Sequence, residues 1–164
     1  MINYEIKSQL AKLLATEDLV VENREVQTAS FDVERRVLTL PMWSRASNTV
    51  YDLLVGHEVG HAIFTPNEWD WEDRIPQAFV NVTEDARIEK LMKRKFPGLT
   101  KSFYRGYEEL SESDFFEIED QDLNEMNLAD RINLQYKIGH FTKIPFTDEE
   151  QELVELVGKT ETFD

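Results

Sequence analysis

Residues 57 to 61 read His-Glu-Val-Gly-His, and no other stretch of the chain restricts what it can build so tightly. Two histidines four positions apart lie on one face of an α-helix, on successive turns, so both imidazoles can reach a single metal ion. Glu58 is then carried beside that ion, close to a water bound there. The flanking residues favour a helix. Val50, Leu53, Leu54, His57, His61 and Phe64 recur at helical spacing, Ser47 or Asn48 can cap the start, and Thr65-Pro66 ends it.

Two histidines do not complete a site, and the chain has no cysteine, so any further ligand must be histidine or carboxylate. A second long helix is predicted from near Asp73 or Pro76 to about Lys95, ahead of Phe96-Pro97-Gly98. Along it Val80, Glu84, Ile88 and Leu91 share one stripe, which assigns Glu84 to the buried side. A carboxylate placed there needs a partner, because an unpaired buried charge is costly. An ion held by His57 and His61 would be that partner; a salt bridge to Arg87 or another buried arginine is the structural alternative. With the histidine pair present, the metal is the preferred reading.

His57-Glu58-Val59-Gly60-His61, followed by Asn81-Val82-Thr83-Glu84-Asp85-Ala86-Arg87-Ile88-Glu89, resembles the gluzincin branch of the zinc metallopeptidases. More narrowly, the pair of motifs is similar to a predicted peptidase domain of tailed bacteriophages and of bacterial proteins carrying a von Willebrand factor A module of the cobaltochelatase type. The likeness centres on residues 48 to 95. It implies a zincin-like fold, zinc ligands His57, His61 and Glu84, and Glu58 as general base. One departure bears on the third ligand. Thermolysin-like gluzincins have an aspartate four residues after the ligand glutamate, where it orients a histidine, and here that position is Ile88. The same spacing joins Asp85 to Glu89, which leaves open a shifted register with Asp85 as ligand. The buried stripe favours Glu84.

Elsewhere Ile6, Leu10, Leu13 and Leu14 mark a short N-terminal helix, and Leu19 to Glu22 is β-prone. Residues 27 to 41 read as a hairpin, with Thr28 to Asp32 as one strand, Glu34 to Arg36 near the turn and Val37 to Leu40 as the return; Pro41 ends that strand or lies at a sheet edge. The two tryptophans of Trp69-Asp70-Trp71 are expected to pack under the metal helix or to line a cleft, core packing being preferred. Helices are predicted from Leu99 to Leu110, from Leu128 to Ile138 and, behind a capping box at Thr147-Asp148-Glu149-Glu150, through Val157. The fold class expected is α+β, mostly helical, a single zincin-like domain over residues 1–164 with a small N-terminal antiparallel sheet. An edge strand of that sheet could hold an extended peptide through its backbone. The related proteins continue into a further domain, so the resemblance implies the N-terminal part of a longer chain whose C-terminal partner is a von Willebrand factor A-type domain.

Function is expected to be zinc-dependent hydrolysis of peptide bonds: zinc lowers the pKa of a bound water to about 7, and Glu58 takes the proton. Tyr104, Tyr107, Arg105 and His140 are the candidates for an electrophile at the carbonyl oxygen, and Asp85 or Glu89 for orienting a ligand histidine. The alternative is a non-catalytic zinc-binding module that recruits a protein partner. A formal net charge of −15 works against nucleic acid and anionic membrane surfaces. With no apolar run of membrane-span length, the reading is a cytoplasmic protein, in a bacterium or encoded by its phage, acting on a protein or peptide substrate.

Overall fold

The computed structural model describes residues 1–68 and 74–164, and the chain runs α1 (Tyr4–Ala15), β1 (Val20–Arg24), β2 (Ser30–Asp32), β3 (Val37–Pro41), α2 (Asn48–Phe64), α3 (Gln77–Lys95), α4 (Leu99–Glu112), α5 (Leu128–Ile138) and α6 (Asp148–Gly158). This is a mostly helical α+β fold with a small sheet. Trp69, Trp71 and Asp73 lie outside the described residues. Two compact units are distinguished: residues 1–68 with 88–106, and the described residues of 74–87 with 107–164. Among the described residues no helix is long and apolar enough to cross a membrane.

In the first unit the helix of the histidine motif is central. The Ser47 hydroxyl accepts from the Val50 amide at 3.2 Å, capping α2, and the chain leaves the helix at Thr65. Its buried residues go nearly all round: Val50, Tyr51, Leu53, Leu54, Val55, Val59 and Ala62 are all within the core. A helix apolar on every side is an interior helix. Its glycines mark where neighbours come close. A Cβ at Gly60 would lie 2.8 Å from Ile88 Cδ1 and 3.0 Å from Met92 Cγ, so the C-terminal half of α3 lies directly on the turn that carries His61. Gly106 of α4 makes the reverse accommodation for Leu53.

The sheet has the order β1-β3-β2, with β2 antiparallel to β3 and β1 parallel to it. The hairpin of residues 30–41 is as expected, but the sheet is mixed rather than wholly antiparallel. β1 pairs with the far edge of β3 instead of extending the hairpin beside β2, and Val20 to Arg24 run in register with Val37 to Pro41. That makes β3 the central strand, with Leu38 and Leu40 fully buried on the period-two face. Pro41 ends it, where a missing amide costs least. The Tyr51 hydroxyl donates to the Pro41 carbonyl and accepts from the Trp43 amide at 2.9 Å, tying α2 to the end of β3; burial pushes this phenol up to about 12.

Arg36, at the hairpin turn, adopts a left-handed φ of 59°. Its guanidinium accounts for the tolerance of that conformation. It donates to both Glu17 oxygens at 2.9 and 2.6 Å, to the Ala62 carbonyl at 2.7 Å, and lies 5.0 Å over the Phe31 ring. A cation on a carbonyl in the last turn of α2 also complements the helix dipole. Arg36→Met is therefore expected to lower the unfolding free energy by about 1–2 kcal/mol in urea titrations, the scale of a lost charge-assisted hydrogen bond plus its dipole interaction.

α1 forms where Ile6, Leu10, Leu13 and Leu14 predict it, yet a different face is buried. Lys7 and Ala11 face inward, whereas Ile6 and Leu13 are exposed. Small Ala11 suits close packing between α1 and α2, and the buried Lys7 ammonium meets Asp52 of α2 at 2.6 Å.

In the second unit α5 and α6 are joined through Arg131, which donates to both Glu150 oxygens at 2.8 Å and to the Met126 and Pro145 carbonyls at 2.9 Å. Glu150 also closes the predicted capping box with Thr147. Arg131, then the Thr147 amide, hold its carboxyl at about 2, below the ordinary 4.5. A depressed carboxyl stabilises the fold above its unfolded pKa, and that contribution is lost as pH falls from about 4.5 through about 2. Urea unfolding of Glu150→Gln should show a less stable protein at neutral pH, with the gap to wild type narrowing steadily below pH ~5. The acidic run from Glu108 to Glu125 occupies the end of α4 and the loop after it, where Asp114 accepts from the Ile118 and Glu119 amides at 2.9 and 3.2 Å.

Candidate metal centre

His57 and His61 project from successive turns of α2, their ring centroids 5.0 Å apart. Each ring is oriented through Nδ1. His57 Nδ1 is 2.7 Å from Glu89 Oε1 on α3, and His61 Nδ1 is 2.9 Å from the hydroxyl of Thr65, the residue that ends α2. A carboxylate only accepts, so His57 carries its proton on Nδ1 and presents Nε2 as the donor nitrogen. The Glu89 side chain is 7% exposed and that of His57 13%, so the pair is shielded from competing water. Histidine ligands of metals commonly hand their second ring nitrogen to a carboxylate or hydroxyl in this way.

The carboxylate in the group is Asp85. Ligand-capable atoms of His57, His61 and Asp85 all lie within 4.8 Å of one another. Two imidazoles and a carboxylate, all half-buried, are a donor set suited to zinc. Asp85 precedes Glu89 by one helical turn on α3, so one face of that helix carries both the carboxylate of the cluster and the carboxylate that orients His57.

Glu84 is buried, as its place on the stripe predicts, and its carboxylate is held by Arg87: Nε donates to Oε1 at 2.7 Å and a terminal nitrogen to Oε2 at 3.1 Å. Both side chains are 5% exposed. Arg87 further stacks 5.8 Å over the Phe163 ring. Ile88 is fully buried, whereas Leu91 is only half-buried and Met92 takes the interior position below it.

Glu58 follows His57 by about 100° around α2 and is 8% exposed. Among the electrophile candidates, Tyr104, Arg105 and His140 are exposed and Tyr107 is buried on α4. Sequence reasoning missed Lys137, in the last turn of α5, whose Nζ is 3.1 Å from Asp85 Oδ2. Nothing in its spacing distinguishes Lys137 from a surface lysine, because its significance comes only from the packing of α5 against the start of α3.

Comparisons with protein families, with curated proteins and with solved structures each found no match.

Proposed function

We propose that this chain is a zinc-dependent peptide hydrolase whose metal is held by His57, His61 and Asp85, with Glu58 as general base. The observation that carries this reading is the convergence of two imidazoles and one carboxylate within 4.8 Å, with both Nδ1 atoms engaged elsewhere. The resemblance to gluzincins supports it in the shifted register. Asp85 takes the ligand place, and Glu89, four residues on, takes the place of the acid that orients a histidine. The Glu84–Arg87 pair supports the same choice, since both Glu84 oxygens are already engaged.

Zinc, when bound, supplies a Lewis acid and lowers the pKa of a coordinated water to about 7. The remaining work falls to the chain. Glu89 and Thr65 hold the two imidazoles through Nδ1, so that Nε2 of each would be the atom to meet the ion. Glu58 accepts a proton from water as the water oxygen bonds to the scissile carbonyl carbon, and returns that proton to the amide nitrogen as the carbon–nitrogen bond breaks. A structural zinc site has no use for a carboxylate between its histidines, and Glu58 therefore favours turnover over recruitment. The substrate class is a protein or peptide. A C-terminal von Willebrand factor A-type domain, on the same resemblance, is the partner expected in a longer chain.

Digestion of a proteome-derived peptide library, read by mass spectrometry, tests the activity. New termini should appear with the zinc-loaded protein and vanish when zinc is removed by a chelator. Identical digests with zinc bound would turn the reading toward the non-catalytic module.

A further inference from the structure

Asp85, the carboxylate of the cluster, also meets a cation. Lys137 Nζ stands 3.1 Å from Oδ2, and the two side chains are 18% and 20% exposed. A carboxylate can ligate a metal through one oxygen or through both. An ammonium held at one oxygen competes with a metal ion for that oxygen by charge repulsion and by drawing on its electron density, and it fixes the plane of the carboxylate at the same time. We infer that Lys137 is a positioning residue that restricts Asp85 to one-oxygen ligation, keeping Oδ2 for itself and turning Oδ1 toward the metal. This inference rests on the reading of His57, His61 and Asp85 as a metal site. Its consequence is a protein donor set of three atoms rather than four. Three leave a tetrahedral ion one position for water or a substrate carbonyl, whereas a fourth protein donor would crowd that position.

Metal affinity alone does not isolate this role, because removing Lys137 has two opposing effects. It relieves repulsion between an ammonium and a dication, and it loosens the carboxylate that binds the dication. Coordination number is the discriminating quantity. Cobalt(II) replaces zinc in such sites and reports it directly, four-coordinate cobalt absorbing visible light several-fold more strongly than five-coordinate cobalt.

The experiment compares cobalt-loaded wild type, Lys137→Met, Lys137→Arg and His57→Ala, with circular dichroism to verify the fold of each. Methionine keeps the apolar stem and removes the ammonium; arginine keeps a donor to Oδ2. Wild type and Lys137→Arg should share an intense four-coordinate spectrum, and Lys137→Met should keep its cobalt while the absorption per bound ion falls several-fold. A Lys137→Met spectrum that superimposes on wild type, with His57→Ala unable to bind cobalt, would overturn the inference and leave the metal site intact. So would a folded Lys137→Met protein that loses cobalt altogether, or a weak five-coordinate spectrum in Lys137→Arg. Failure of wild type to take up cobalt, or uptake undiminished in His57→Ala, would instead remove the metal site on which the inference rests.

Discussion

Glu58→Gln is expected to bind zinc as wild type does, to unfold at the same temperature, and to lose hydrolytic activity by about 10²–10⁴-fold, the usual contribution of a positioned general base. The substitution is nearly isosteric and keeps an oxygen that can accept from water while abolishing basicity. On the proposed assignment of His57, His61 and Asp85 as ligands, Glu58 would have no share in holding the metal, so metal content should not follow activity. Glu58 is 8% exposed, and a glutamine of nearly the same volume keeps the packing around it. Peptide turnover, zinc stoichiometry and a thermal melt on the same preparation check all three parts. Loss of zinc in Glu58→Gln would make the residue a ligand, and undiminished turnover would leave it without a role.

The second large effect separates two neighbouring carboxylates. Asp85→Ala should lose zinc affinity severely, because a bond to the metal is removed, yet it should remain folded. Glu84→Ala should keep zinc and be destabilised by about 3–5 kcal/mol, the cost of breaking a buried ion pair from one side, since Arg87 loses a carboxylate that accepts two of its hydrogen bonds. Competition with a chromophoric chelator measures the first quantity and urea unfolding the second. The reverse ranking, with zinc lost in Glu84→Ala and retained in Asp85→Ala, would return the third ligand to Glu84.

These two residues also mark where sequence reasoning reached its limit. Helical periodicity placed Glu84 on the buried side, and it is buried. Periodicity reports burial, though, not the identity of the partner, and an arginine three residues on satisfies that carboxylate as well as an ion would. Asp85, half-buried at the margin of the stripe, carries no burial signal, and only the i, i+4 relation to Glu89 hinted at its place beside the two histidines. Local signals fared best where the physics is local. Ser47 and the Thr147–Glu150 box cap their helices, and the hairpin turn falls at residues 33–36. What depends on distant partners was not legible: the pairing of β1 with β3, the buried Lys7 face of α1, and Lys137 beside Asp85. Charge on a side chain predicts exposure until another element supplies the counter-charge.

The identity of the metal and its ligands is decided most directly by anomalous diffraction at the zinc absorption edge from crystals of the zinc-loaded protein. One peak per chain is predicted, ~2.0–2.2 Å from Nε2 of His57, Nε2 of His61 and a single Asp85 oxygen, with Glu84 still on Arg87. No peak at the two histidines, or a peak bound through Glu84 with Asp85 turned away, would contradict the site proposed for this chain.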